Sequence, residues 1–579
     1  MSALLKTREL SAMHRDGKQA PLVEHFELLA TSTNGVARLR ELILTLAVQG
    51  KLVRQDPGDE PADVPLALLR EAKQQLIAKE KIKREKLPTK HAENPVTFEL
   101  PAGWRCARLA DIVRVLNGRA YRKSELLDVG TPVLRVGNLF TSNHWYYSNL
   151  NLAPEKYCRR GDLLFAWSAS FGPFIWEGPD AIYHYHIWKL EPFRLDAFNT
   201  RYFHTFLLEK TAEIKAAGHG VSMVHMTKEK MEKIVVSYPP LAEQSRIVTR
   251  VEELMRLCDA LEAKGRLEAA QHSQLVSTLL GTLTDSESPE ALSDRWQRIG
   301  DHFDMLLDRP EAVGALEQTI LQLAVRGLLV QQDPADEPAS ELLERVRSEK
   351  ALLIAEGRIR REKLLPLQGN PDELPSLPTA WRWVRMGDLV NGSEAGWSPT
   401  CIPSPRREGH WGVLKVSAVS WGAFDADANK ELPSGLAPRP EYEVRDGDFL
   451  LSRANTEELV ARSVVVGKAP PQLMLSDKII RLDVSALMNR EFLNLSNNAA
   501  HARAHYAANA SGTSSSMKNV SREVVLSAPV PLPPLAEQSR IVARVEELRR
   551  LCADLRQRLA AAQAMQAQLA EALVAQPAP

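Results

Sequence analysis

Few residues in this 579-residue chain stand at spacings that support bond chemistry. The histidines of Tyr-His-Tyr-His-Ile-Trp (183–188) alternate as on one face of a strand, but no further ligands lie at metal-binding spacing, so packing or a surface contact is the expectation. Cys106, Cys158, Cys258, Cys401 and Cys552 form no Cys-x-x-Cys pair, which argues against both a zinc site and a disulfide framework. The Gly-Lys pairs beginning at 17, 50 and 467 are followed by Gln, Leu and Ala, so no phosphate loop with Ser or Thr after the lysine is present. Pro179-Asp180 with Glu213-Ile214-Lys215 fits only a permissive nuclease pattern that arises readily by chance. Asn94-Pro95-Val96 falls short of the Asn/Asp-Pro-Pro-aromatic loop that holds an amine for methyl transfer. The expectation is a chain that does no chemistry itself, with no metal and no cofactor of its own.

Its polar clusters read better as binding surfaces. Asn117–Glu125 places Arg119, Tyr121, Arg122 and Lys123 after a glycine turn. Such a loop suits a nucleic-acid groove, where arginine forms paired bonds to guanine; a solvated charged loop is the alternative. Arg135 and Asn138 stand near a strand end, and Ser168 and Ser170 are small polar residues in an apolar stretch that equally suits a turn. Residues 218–230 look like a Gly-rich loop leading into a helix capped by Thr227, with His219, Ser222, His225 and Lys228 as candidate contacts. Its counterpart, 511–523, offers Thr513, Ser514, Ser516, Lys518 and Asn519, and backbone N–H groups at such loops suit phosphates. Lys415, Ser417, Arg453, Asn455 and Thr456 complete the set of candidate DNA contacts.

The elements that position these residues form a duplication. Pro-Pro-Leu-Ala-Glu-Gln-Ser-Arg-Ile-Val occurs at 239–248 and again at 533–542, and residues 43–62 are matched by 320–339. Between the copies lie inserts of unlike length and sequence, roughly 98–238 and 375–532, rich in short β-branched and aromatic runs separated by Gly, Pro and Asn. After each Pro-Pro, Ile247, Val251, Leu254, Cys258 and Leu261, and likewise Ile541, Val545, Leu548, Cys552 and Leu555, form the seam of a long helix. A helix of about forty residues is about 60 Å long at about 1.5 Å per residue, and the expected partner for each seam is its own duplicate. The fold class expected is α+β: two α+β domains joined by long antiparallel helices, an internal duplication with pseudo-twofold symmetry. The expected domains are a helical region 1–97, a first insert 98–238, a central helical region 239–374 including the unmatched linker 284–311, a second insert 375–532 and a C-terminal helix 533–579. Total charge is balanced, with 73 basic and 73 acidic residues, but the first insert carries 18 basic and 14 acidic residues and the second 17 and 16. No apolar run is long enough to span a bilayer and no signal peptide is evident, so a cytoplasmic location is expected.

Gly161–Gly172, residues 220–248 and residues 46–62 resemble specificity subunits of type I restriction-modification systems, in the subgroup of larger subunits with an N-terminal helical extension. The resemblance covers nearly the whole chain and both halves. It implies a non-catalytic subunit whose two inserts are target recognition domains, each reading one half of a split, asymmetric target in double-stranded DNA. It further implies that the duplicated helices set the spacer and dock two modification (adenine methyltransferase) subunits, which use SAM, while restriction subunits using ATP and Mg join to translocate and cleave. Two other readings compete: a helical adaptor whose inserts bind proteins, and a self-contained enzyme that methylates or cuts DNA.

Overall fold

Each copied decapeptide opens a long helix because its prolines have no N–H to donate to a preceding helix or sheet, while its glutamine closes the first turn. Gln244 donates through Nε2 to Pro239 O and Gln538 to Pro533 O, both at 3.0 Å. The computed structural model describes residues 34–79, 98–168, 171–217, 226–286, 289–359, 374–514 and 517–575. By contacts the chain divides into two units, residues 1–268 with 563–579, and residues 269–562.

In the first unit α1 (Gly35–Val48) and α2 (Asp63–Ala78) precede the insert. The insert is enclosed by the antiparallel pair β1 (Arg105–Arg108) and β10 (Val235–Tyr238). Inside, β2 (Val113–Asn117), β9 (Ile187–Pro192), β6 (Leu163–Ala166) and β7 (Gly172–Ile175) form one antiparallel sheet in that order. A second sheet orders β4 (Tyr146–Ser148), β3 (Thr131–Leu134), β8 (Ala181–Tyr183) and β5 (Tyr157–Cys158), with β3 and β8 parallel. The helices α3 (Thr200–Ala217) and α4 (Lys228–Glu232) follow, and then α5 (Leu241–Thr284) begins.

In the second unit α6 (Pro289–Gly300), α7 (Pro310–Val325) and α8 (Ala339–Ala355) lead to the enclosing pair β11 (Arg382–Arg385) and β22 (Pro529–Leu532). The first sheet orders β12 (Val390–Ala395), β19 (Ile479–Val484), β15 (Phe449–Ser452) and β17 (Ser463–Val465). The second orders β14 (Asn429–Glu431), β13 (Gly412–Leu414) and β18 (Leu473–Met474), with β13 and β18 parallel. An antiparallel bridge from Glu443 to Met474 stands where the first unit has β5 against β8. A third sheet places β21 (Met517–Asn519) between β16 (Ala454–Asn455) and β20 (Ser511–Ser514). The helices α9 (Arg490–Asn498), α10 (Ala500–Asn509) and α11 (Arg522–Leu526) precede α12 (Leu535–Ala575). In their first two sheets the inserts that diverge in sequence therefore share one strand order, and the third sheet has no counterpart among the described residues of the first insert. The α+β class with long helices is what the structure shows, and the two helices run 44 and 41 residues.

Each seam is covered by a helix of its own half, and Val276, Leu280 and Leu283 of α5 also share a core with Ile541, Val545 and Cys552 of α12. Ile247, Val251, Leu254 and Cys258 are buried in one core with Leu39, Ile43 and Ala47 of α1. Ile541, Val545 and Cys552 are buried with Leu316, Ile320 and Ala324 of α7. An amphipathic helix arriving just before each insert covers the stripe locally.

The two copied motifs also explain one another. The buried carboxylate of Glu243 accepts from Trp104 Nε1 at 2.9 Å and from Gln55 Nε2 at 2.7 Å, and Glu537 accepts from Trp381 at 2.9 Å and Gln332 at 2.5 Å. Arg246 pairs with Asp59 and Arg540 with Asp336, each at 2.6 Å. Burial pushes both glutamates above the ordinary carboxylate range, and the Trp and Gln donors oppose it. Gly50 and Gly327, both at φ 71°, turn the chain beneath these tryptophans, where a Cβ would lie 2.5 Å from Pro101 and 2.6 Å from Pro378.

Candidate nucleic-acid interface

In the first insert β2 runs into Gly118, where a Cβ would lie 2.3 Å from His184 O, so only glycine permits this approach. Arg119 then bridges to His184, its N–H donating to Tyr183 O at 3.0 Å. Its guanidinium binds Glu125 at 2.8 Å and lies over the Tyr121 ring. Tyr121 stacks on His184, and burial raises its phenol pKa. Arg119 and Tyr121 thus hold the loop in place, while Arg122 and Lys123 are the exposed members of the group.

Arg135 is exposed at the end of β3, with its guanidinium 5.3 Å from the Tyr146 ring centroid. Asn138 spends its side chain on the following turn, accepting from Arg135 N at 3.1 Å and donating to His144 O at 2.7 Å. Ser168 sits half-buried in a bend after β6. Ser170, His219, Ser222 and His225 lie outside the described residues. Thr227 caps α4 as expected, its side chain accepting from Lys230 N at 3.3 Å, and Lys228 is exposed in that first turn beside Glu232.

The alternating histidines are not one strand face. β8 ends at Tyr183 and β9 begins at Ile187, and the turn between them closes through Ile187 N donating to His184 O at 2.9 Å. That turn gathers rings: His184, Tyr185 and His186 lie within 4.8 Å of one another by centroid, and Trp167 meets His186 at 5.1 Å. Burial, then His186 and Arg135, depress the pKa of His184 to about 4, so it is neutral at pH 7. Sequence reasoning did not single out Tyr185, Trp167 or His144; the density of His and aromatic residues over 183–188 was the available signal.

In the second insert the separately chosen stretches converge. β16 pairs with β21 so that Asn455 faces Lys518 and Ala454 faces Asn519, and β21 continues to β20, whose backbone carries Thr513 and Ser514. The stretch 511–519 is therefore a hairpin, not a glycine-rich loop, and Lys518 Nζ donates back to Gly512 O at 3.2 Å. Ser516 lies outside the described residues. Asn455 Nδ2 donates to Ser420 Oγ at 2.9 Å, which ties the sheet to the half-buried turn carrying Lys415 and Ser417. Thr456 is half-buried next to it, and Arg453 is exposed, its N–H donating to Lys478 O at 2.7 Å.

A larger cavity in the first unit, about 820 Å³, is lined by Arg114, Glu155, Asp162, Lys189 and Glu191. Its charges are mutually paired, Arg114 to Glu191 at 2.6 Å and Lys189 to Asp162 at 3.8 Å. The second unit matches it with Arg481 on Asp448 at 2.9 Å, so these groups belong to the scaffold. Among the described residues no group of His, Cys, Asp and Glu is placed to hold a metal ion, and no helix is long and apolar enough to cross a membrane.

Two inserts with matching sheets are each locked into a copy of the same helical frame and present different polar loops. A family model described as the type I restriction modification DNA specificity domain matches residues 101–272. The EcoEI specificity subunit of Escherichia coli is 35% identical over 594 residues, spanning 99% of this chain and 97% of that protein. The EcoAI specificity subunit of Escherichia coli is 31% identical over 570 residues, 93% of each. Among solved structures, the HsdS subunit from Thermoanaerobacter tengcongensis covers 83% of this chain and 97% of its own, at 18% identity and a TM-score of 0.36. The chain belongs to the specificity subunits of type I restriction enzymes. It is a DNA-binding, non-catalytic member of its complex, and catalysis resides in partner subunits.

Proposed function

We propose that residues 98–238 and 375–532 are two target recognition domains, each reading one half of a split, asymmetric site in double-stranded DNA. The helical regions 1–97, 239–374 and 533–579 hold them at a set separation and dock two adenine-methylating modification subunits, with restriction subunits completing the complex. One observation supports this above others: the Trp-Glu-Gln and Arg-Asp interlock is built twice, around inserts with matching sheets but unlike surface residues. A frame kept constant while its loops vary is what two different half-sites at a fixed spacing require. Helices of about 60 Å correspond to somewhat under twenty base pairs at about 3.4 Å each.

The contacts proposed in the first domain are Arg119, Tyr121, Arg122, Lys123, Arg135, Asn138, Ser168 and Ser170, with His219, Ser222, His225 and Lys228. Arg119, Tyr121 and Asn138 serve by shaping the loops. In the second they are Lys415, Ser417, Arg453, Asn455 and Thr456, with Thr513, Ser514, Ser516, Lys518 and Asn519, and the pairing of β16 with β21 brings Asn455 beside Lys518. A cytoplasmic location follows from such a role. The test is adenine methylation of a DNA library by the chain, the modification subunit and SAM. Methylation at one bipartite sequence, and only with both proteins present, is the expected result. Methylation by the chain alone would establish the enzymatic reading, and a complex that binds no DNA would establish the adaptor.

A further inference from the structure

The turn between β8 and β9 faces a cavity of about 280 Å³ lined by Arg135, Val136, Gly137, Asn138, Ser142, His144, His184 and His186. It contains a guanidinium and three imidazoles but no carboxylate. Arg135 is exposed, its guanidinium lies over Tyr146, and among the described residues no acid pairs with it. His144 stands edge-on to the same Tyr146 ring at 4.6 Å, so one tyrosine fixes both side chains. Asn138, whose oxygen and amide both serve the turn, builds the wall and has little left to offer a ligand. His184 is neutral at pH 7, so it adds a polar ring without adding charge. A phosphate clamp is favoured by several lysines or arginines, whereas a single planar guanidinium fork suits two adjacent acceptors on a base edge.

Resting on the recognition-domain reading above, we propose that Arg135, flanked by His144, His184 and His186, reads a guanine through its N7 and O6 acceptors in the half-site assigned to the first insert. The turn of Tyr185, 40% exposed, and the adjoining Trp167 give this pocket an aromatic rim against the groove wall.

The test is library methylation by the assembled complex carrying Arg135→Gln, with His144→Ala as a second variant at an exposed position. Arg135→Gln should lower the methylation rate at the original sequence about ten- to a hundredfold, the range expected for one paired arginine–guanine contact. It should also relax one guanine position of one half-site and leave the other half-site unchanged. His144→Ala should relax the same position more weakly. A uniform loss across all sequences would show a backbone phosphate contact and overturn the proposal, as would an unaltered recognition sequence. If the unsubstituted complex methylates no DNA at all, the recognition reading itself fails and takes this inference with it.

Discussion

The two halves of the molecule agree where they are buried and differ where they are exposed. The glutamates at 243 and 537, the tryptophans at 104 and 381 and the glutamines at 55 and 332 make the same bonds. At the rim of this frame the charges exchange places. Arg40 on α1 pairs with Glu262 on α5 at 2.9 Å, whereas Glu317 on α7 pairs with Arg556 on α12 at 3.0 Å. A repeat placed on the wrong long helix would set Arg40 against Arg556 or Glu317 against Glu262. The buried bonds hold the frame, and the exchanged pairs tell its copies apart.

Breaking the buried agreement has the largest expected effect. Trp104→Ala and Trp381→Ala each empty a large core site and strand a buried glutamate, at about 3–5 kcal/mol by denaturant unfolding. Closely similar losses in the two halves would uphold the equivalence, and a cost confined to one would break it. Gly50→Ala and Gly327→Ala come next, at about 1–3 kcal/mol each, because both residues hold left-handed backbone beneath a proline and a tryptophan. The charge exchange is the finest distinction. Arg40→Glu alone should cost no more than about 1 kcal/mol, since the pair is partly exposed, and Arg40→Glu with Glu262→Arg should recover part of it, Asp259 still lying beside position 40. No recovery would remove these pairs from the account.

The inserts also share a titration signature. His184 in the first and His501 in the second are held down to about 4, by burial before any other cause, from an ordinary value of 6.5. The unfolded chain takes up these protons first, so this contribution to stability is whole above pH 6.5 and is lost as pH falls toward 4. His501→Asn should flatten the fall in unfolding midpoint across that window relative to the parent chain.

The frame was legible because it is written twice: matched motifs, proline-bounded starts and a three-to-four seam mark α5 and α12 directly. Their partners were not legible, since Trp104 reaches Glu243 across 139 residues and nothing local announces it. An apolar stripe states that a seam is covered but not by what, so the part that α1 and α7 take in covering it is not legible in the sequence. The strands of the inserts were visible in their β-branched runs, but the turn at 184–186 mimicked strand alternation, a short turn between two apolar strands preserving the period of two. The hairpin at 511–519 has hardly any apolar side chains, and its pairing with Ala454 and Asn455 across more than fifty residues creates it. Among the site candidates, exposed Arg135 and Arg453 kept the character their composition implied. Asn138 turned inward because amide groups satisfy backbone turns as readily as they satisfy bases.

The most direct test of the central claim, two independent readers on one duplicated frame, exchanges residues 98–238 for the corresponding insert of a relative with a different target and maps the methylated sequence. The account predicts that one half-site takes the donor's sequence while the other half-site and the spacing between them stay fixed. A change in both half-sites, or in neither, would contradict it.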